Sequence, residues 1–138
     1  MTLKEAIVAA ERGDAQAMLS VADFYANSKE KLSMENMEQA LKWYEKAAQT
    51  GSTYGLEMAG RTYAIFATLS LQIGAYADSI KEWNLAFQNF SPLLQYKGYS
   101  TEKQQDIRNE AWQCIYKTAY CNILMKKYHD AFYILDRI

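Results

Sequence analysis

The chain has 138 residues, and its 15 Lys and Arg stand against 16 Asp and Glu for a formal charge of −1. That length implies one domain with a buried core, and the balanced charge argues against the basic face on which nucleic-acid binding depends. Two cysteines, one histidine and one proline leave little for metal coordination and argue against long linkers.

The apolar periodicity is helical almost throughout, with no run of strand alternation. Thr2-Leu-Lys-Glu5 forms a capping box that opens a first helix, and Gly13 ends it. Charges interrupt the apolar residues of this segment, so it does not read as a signal peptide, and no later window is long enough for a membrane span. The expectation is a cytoplasmic protein that engages neither membrane nor nucleic acid. Asp14 caps a second helix, from Ala15 to about Asn27, followed by a polar loop, 28–35. Asn36-Met-Glu-Gln39 offers the next capping box, for a helix that runs to Thr50 and ends at Gly51. Ser52 caps a longer helix to about Ile73, Gly74 breaks it, and another runs from Asp78 to about Asn89. Ser91-Pro92 predicts a single helical turn closed by Gly98. Thr101-Glu-Lys-Gln104 begins the longest helix, to about Lys127, and a last helix covers about 128–138. These are seven principal helices.

The chain repeats itself. Ala9-Ala-Glu-Arg-Gly13 recurs as Ala47-Ala-Gln-Thr-Gly51, thirty-eight residues later, and Leu3-Lys4 and Tyr25 recur at the same offset as Leu41-Lys42 and Tyr63. The span Gly13-Asp-Ala-Gln-Ala17, Ala22-Asp-Phe-Tyr25 and Ala40-Leu-Lys-Trp-Tyr-Glu-Lys-Ala-Ala-Gln-Thr-Gly51 resembles one complete Sel-like repeat, a close cousin of the tetratricopeptide repeat. Tyr63, Phe66 and Ala67, then Gly74-Ala-Tyr76, Ser79-Ile80, Trp83 and Ala86, resemble a second copy nearer the tetratricopeptide pattern. A degenerate third copy runs through Ile115, Ala119 and Tyr128-His-Asp-Ala131, with Asn122 where an aromatic is usual.

This resemblance implies an all-α, antiparallel helix-pair array over a single domain, 1–138. It has a half repeat (1–13), a first (14–51) and a second repeat (52–90), an atypical loop (91–100) and a third repeat (101–138). Ala17, Ala22, Ala40, Ala47, Ala86, Ala119 and Ala131 are then the small residues that let helix backbones approach, with aromatic rings filling the grooves between.

The resemblance further implies a non-enzymatic module that holds a peptide or protein in a concave groove lined by the first helix of each pair. Position by position it nominates Gln16, Leu19, Asp23 and Asn27, then Arg61, Ala64 and Thr68, then Gln113, Tyr116 and Tyr120. Arg61 has a planar fork suited to a partner carboxylate, or to an ion pair within the chain. No catalytic, metal or cofactor residues are nominated. His129, the one histidine, sits at a helix junction between lysines and Asp130. Cys114 and Cys121, seven apart on one helix, lie about 10 Å apart and read as small buried side chains rather than a disulfide. The alternative reading is a self-associating protein. From Ala111 to Met125 the long helix is apolar on nearly every side, relieved only by Gln113, Lys117, Thr118 and Asn122. Trp112, Tyr116, Tyr120 and Ile123 share one of its faces. That face needs a cover, either the loop 90–100 of the same chain or a second copy in a homodimer.

Overall fold

The computed structural model describes residues 2–28, 33–126 and 128–136, except the side chains of 128, 129, 131 and 132. The described residues form seven α-helices and no strand: α1 (Leu3–Glu11), α2 (Ala15–Ala26), α3 (Met34–Gln49), α4 (Thr53–Gln72), α5 (Tyr76–Phe90), α6 (Thr101–Leu124) and α7 (Tyr128–Asp136). A 3-10 turn, Ser91–Gln95, follows α5 with Pro92 in its first turn.

Local chemistry sets most of these boundaries. Thr2 and Asp14 accept from the backbone N–H of Glu5 and Ala17, satisfying donors that a helix start leaves orphaned. Ser52 does the same for Gly55 at 3.0 Å. Gly13 and Gly51 both stand in the left-handed region, at φ +100° and +98°, where a side chain would strain the backbone. The N–H of Asp14 then returns to Ala9 O, and that of Ser52 to Ala47 O, so the two Ala-Ala-x-x-Gly segments end their helices with the same hydrogen bonds. Three starts differ from expectation. Ser33, not Asn36, caps α3, its hydroxyl accepting from the Asn36 N–H at 3.2 Å and adding most of a turn upstream. Ser100, not Thr101, caps α6 by accepting from Lys103 N–H. In both places the serine lies just upstream of a residue that also caps well. α5 starts at Tyr76 without a side-chain cap, two residues before Asp78. α6 ends at Leu124, and Lys127, where its end was expected, lies outside the described residues.

The chain divides into two compact units, Met1–Ala59 and Gly60–Ile138, the boundary falling inside α4. In the first, α2 packs on α1 and α3. The core there is built of small residues around a few large ones: Ala6, Ala10, Ala22, Ala40 and Ala47 with Val21, Trp43 and Tyr44. In the second, α6 packs on α5 and α7, and the 3-10 turn lodges Leu93 inward. Its core gathers Ala67, Trp83, Ala86, Phe90, Ala111, Cys114 and Cys121. Ser79 is fully buried here, donating to Ala67 O at 2.8 Å and so tying α5 to α4.

Of the seven alanines that sequence marks as helix contacts, Ala17, Ala22, Ala40, Ala47, Ala86 and Ala119 are buried, and the side chain of Ala131 lies outside the described residues. Leucine at Ala22 or Ala47 must therefore overpack the first unit, with an expected loss of about 1–3 kcal/mol. Gln49→Ala, on the exposed side of α3, should stay within about 0.5 kcal/mol. Urea unfolding of the three variants checks this, and equal tolerance at all three would contradict the packing.

Candidate functional site

In the second unit a run of accessible aromatic residues lies on α6. At 3.6 residues per turn, Trp112, Tyr116, Tyr120 and Ile123 fall within roughly 80° of arc. Tyr116 is 51%, Tyr120 48% and Ile123 43% exposed, while Trp112 is half-buried. The loop after α5 does not cover them. Its Leu93 turns inward, and the Tyr96 and Tyr99 rings stack edge to face on each other at 4.7 Å. Leu71 and Tyr76 join Tyr116, Lys117, Tyr120 and Leu124 around a shallow cleft of about 620 Å3. A second cleft, about 530 Å3, continues along the helix past Asn109, Trp112 and Gln113. The Lys117 ammonium lies 5.8 Å from the Tyr120 ring centre, giving this aromatic face a positive edge.

Sequence pattern leads to the α6 residues but misses Leu71 and Tyr76. Both lie near the Gly74 break, where helical periodicity is interrupted and gives no facing direction.

The other nominated residues are more occupied. Arg61 reaches across to α6, where its Nε donates to both Glu110 carboxylate oxygens at 3.1 and 3.3 Å and Nη2 lies 3.1 Å from Oε1. This is the ion pair within the chain, and partly exposed pairs of this kind contribute at most about 1 kcal/mol. Ala64 packs against the core, Thr68 bonds back to Ala64 O, and Gln113 is exposed. In the first unit Gln16 and Asn27 are exposed and Leu19 packs against the core. Asp23 accepts hydrogen bonds from Tyr44 and, at 3.0 Å, from Tyr54. The two rings meet edge to face at 6.1 Å. Burial first, then the hydrogen bond to Asp23, raises both phenols above their ordinary values, so they remain donors to this carboxylate.

The cysteines are free and buried. Burial, with the Glu110 carboxylate adding to it, pushes the Cys114 thiol up to about 12. Such a thiol supplies almost no thiolate near neutrality and makes a poor nucleophile. Its raised value also bears on stability: the unfolded thiol ionises first, so the contribution is whole below about pH 9 and lost as pH rises toward 12. The urea midpoint should fall between pH 8 and pH 11, and Cys114→Ala should flatten that fall without abolishing it, because Tyr44 acts in the same direction. An unchanged slope in Cys114→Ala would remove the thiol from the account. The His129 side chain lies outside the described residues. Among the described residues, no three His, Cys, Asp or Glu side chains cluster as a metal would require, and no helix is long and apolar enough to cross a membrane.

Comparison with protein-family models, curated proteins and solved structures found no match for this chain.

Proposed function

We propose that the protein is a non-catalytic interaction module of the Sel-like and tetratricopeptide-like kind, which holds a peptide or protein partner on the outward face of α6. The observation that carries this reading is the run of accessible Tyr116, Tyr120 and Ile123 beside two continuous clefts. Tyrosine gives such a surface a large apolar body and a polar tip, which is why it anchors interfaces. The thirty-eight-residue recurrence and the matching turns at Gly13 and Gly51 support the repeat assignment.

The test is capture of partners by the wild-type chain and by Tyr116→Glu/Tyr120→Glu. Because both side chains are exposed, the double variant should keep its helical circular dichroism while losing the partner. A variant that retains every partner would refute the reading.

A second reading follows from the same face: its apolar, uncharged centre is compatible with its own copy across a two-fold axis. A dimer of standard size buries about 800 Å2 on each partner. Light scattering over a wide concentration range would then show a dimer that Tyr120→Glu weakens, whereas a wild-type monomer at every concentration leaves the hetero-partner reading standing.

A further inference from the structure

On the opposite side of α6 from Tyr116 and Tyr120, a cavity of about 570 Å3 lies among α5, α6 and α7. Cys114, Thr118 and Asn122 line it at spacings of four, roughly 180° around the helix from the two tyrosines. The volume is in the range of small-molecule sites, about 300–1,000 Å3. Ile80 and Phe87 from α5 and Ile134 from α7 give it apolar walls, and Asn84, Asp130 and Tyr133 add polar groups.

Thr118 and Asn122 are polar side chains in this setting, and each is only 7% exposed. Thr118 spends its proton on Cys114 O at 2.9 Å. Asn122 donates one N–H to Thr118 O at 3.0 Å. Among the described residues, its second N–H and its carbonyl oxygen take no further partner. The Asn122 oxygen is not sealed from solvent, so this edge opens onto the cavity, and a ligand amide there would replace water contacts with direct hydrogen bonds. The charge at the cavity also selects. Asp130 is the one charged residue among the described lining, with no Lys or Arg among those residues. A carboxylate or phosphate would enter against that charge and lose its own hydration.

We propose that this cavity binds a small uncharged ligand, with an apolar body against Ile80, Phe87 and Ile134 and one amide or lactam group paired to the free edge of Asn122. The site is separate from the α6 face proposed for a protein partner and does not rest on that reading.

The probe is 3-phenylpropanamide, with 3-phenylpropanoate as its charged counterpart, titrated into the full-length chain labelled with nitrogen-15. The amide should shift the Asn122 side-chain resonances and the Thr118 and Cys114 amides saturably, with the carboxylate binding about tenfold more weakly, the equivalent of one good hydrogen bond. Asn122→Leu replaces the amide with an apolar side chain of similar size and should lose about tenfold in amide affinity while unfolding cooperatively. Should that variant fail to fold, Asn122→Ala carries the same comparison. Equal binding of amide and carboxylate, no saturable shift at these three residues, or amide affinity unchanged in the position-122 variant would each overturn the proposal.

Discussion

Tyr44→Ala is expected to destabilise the first unit by about 3–5 kcal/mol, the range for removing a buried aromatic ring. The ring is fully buried in a core rich in alanine, and the short side chains of Ala22, Ala40 and Ala47 cannot refill the space. Tyr44→Phe separates the ring from its hydroxyl. It should lose only about 1–2 kcal/mol, because Asp23 is part-exposed and keeps its bond from Tyr54. Urea unfolding monitored by circular dichroism gives both values. If the Phe and Ala variants lost the same amount, the hydroxyl and not the ring would be holding this unit together.

Gly55→Ala should be nearly as damaging, against the usual benefit of about 1 kcal/mol when alanine replaces glycine within a helix. A Cβ at Gly55 would stand 2.8 Å from Ala48 N and 2.9 Å from Tyr44 O. Both are backbone atoms of α3, so the clash is relieved only by moving one helix off the other. The expected net loss is about 2–3 kcal/mol. Gly60→Ala provides the contrast, because its Cβ would meet the Phe90 ring at 2.8 and 2.9 Å rather than backbone. Gly60→Ala/Phe90→Leu should therefore recover much of the loss at position 60. No comparable side-chain substitution exists for position 55. Thermal unfolding of the three variants decides this, and a neutral Gly55→Ala would show that α3 and α4 do not approach so closely.

Most of the helical architecture can be read from local signals, since caps act over three residues and helical faces over four. Thr2, Asp14, Gly13 and Gly51 are legible for that reason, and so are the buried alanines. Where two good capping residues stand close together, as at Ser33 and Asn36, local chemistry does not choose between them, and tertiary packing sets the start. Contacts over long separations leave no periodic trace. Asp23 finds Tyr44 and Tyr54 across 21 and 31 residues, and Arg61 finds Glu110 across 49. The long helix α6 is the instructive case. In sequence it is apolar on nearly every side and shows no solvent-facing edge, yet Thr118 and Asn122 are buried while Tyr116, Tyr120 and Ile123 are exposed. Both polar residues can enter the core because each bonds to a carbonyl one turn earlier on its own helix.

Those back-bonds have a mechanical consequence. The carbonyls of Glu110, Cys114 and Thr118 each accept a second bond, from Cys114 Sγ, Thr118 Oγ1 and Asn122 Nδ2, in addition to the helical one. An acceptor shared in this way holds each donor more loosely, and along α6 the three sharing sites fall one above another on a single edge. The helix, 24 residues and about 36 Å long, is thereby more compliant on its core side than on its tyrosine side. It behaves as a spring with one soft edge. Amide protons at Cys114, Thr118 and Asn122 should therefore exchange through smaller openings than those of the residues between them, which native-state hydrogen exchange would measure.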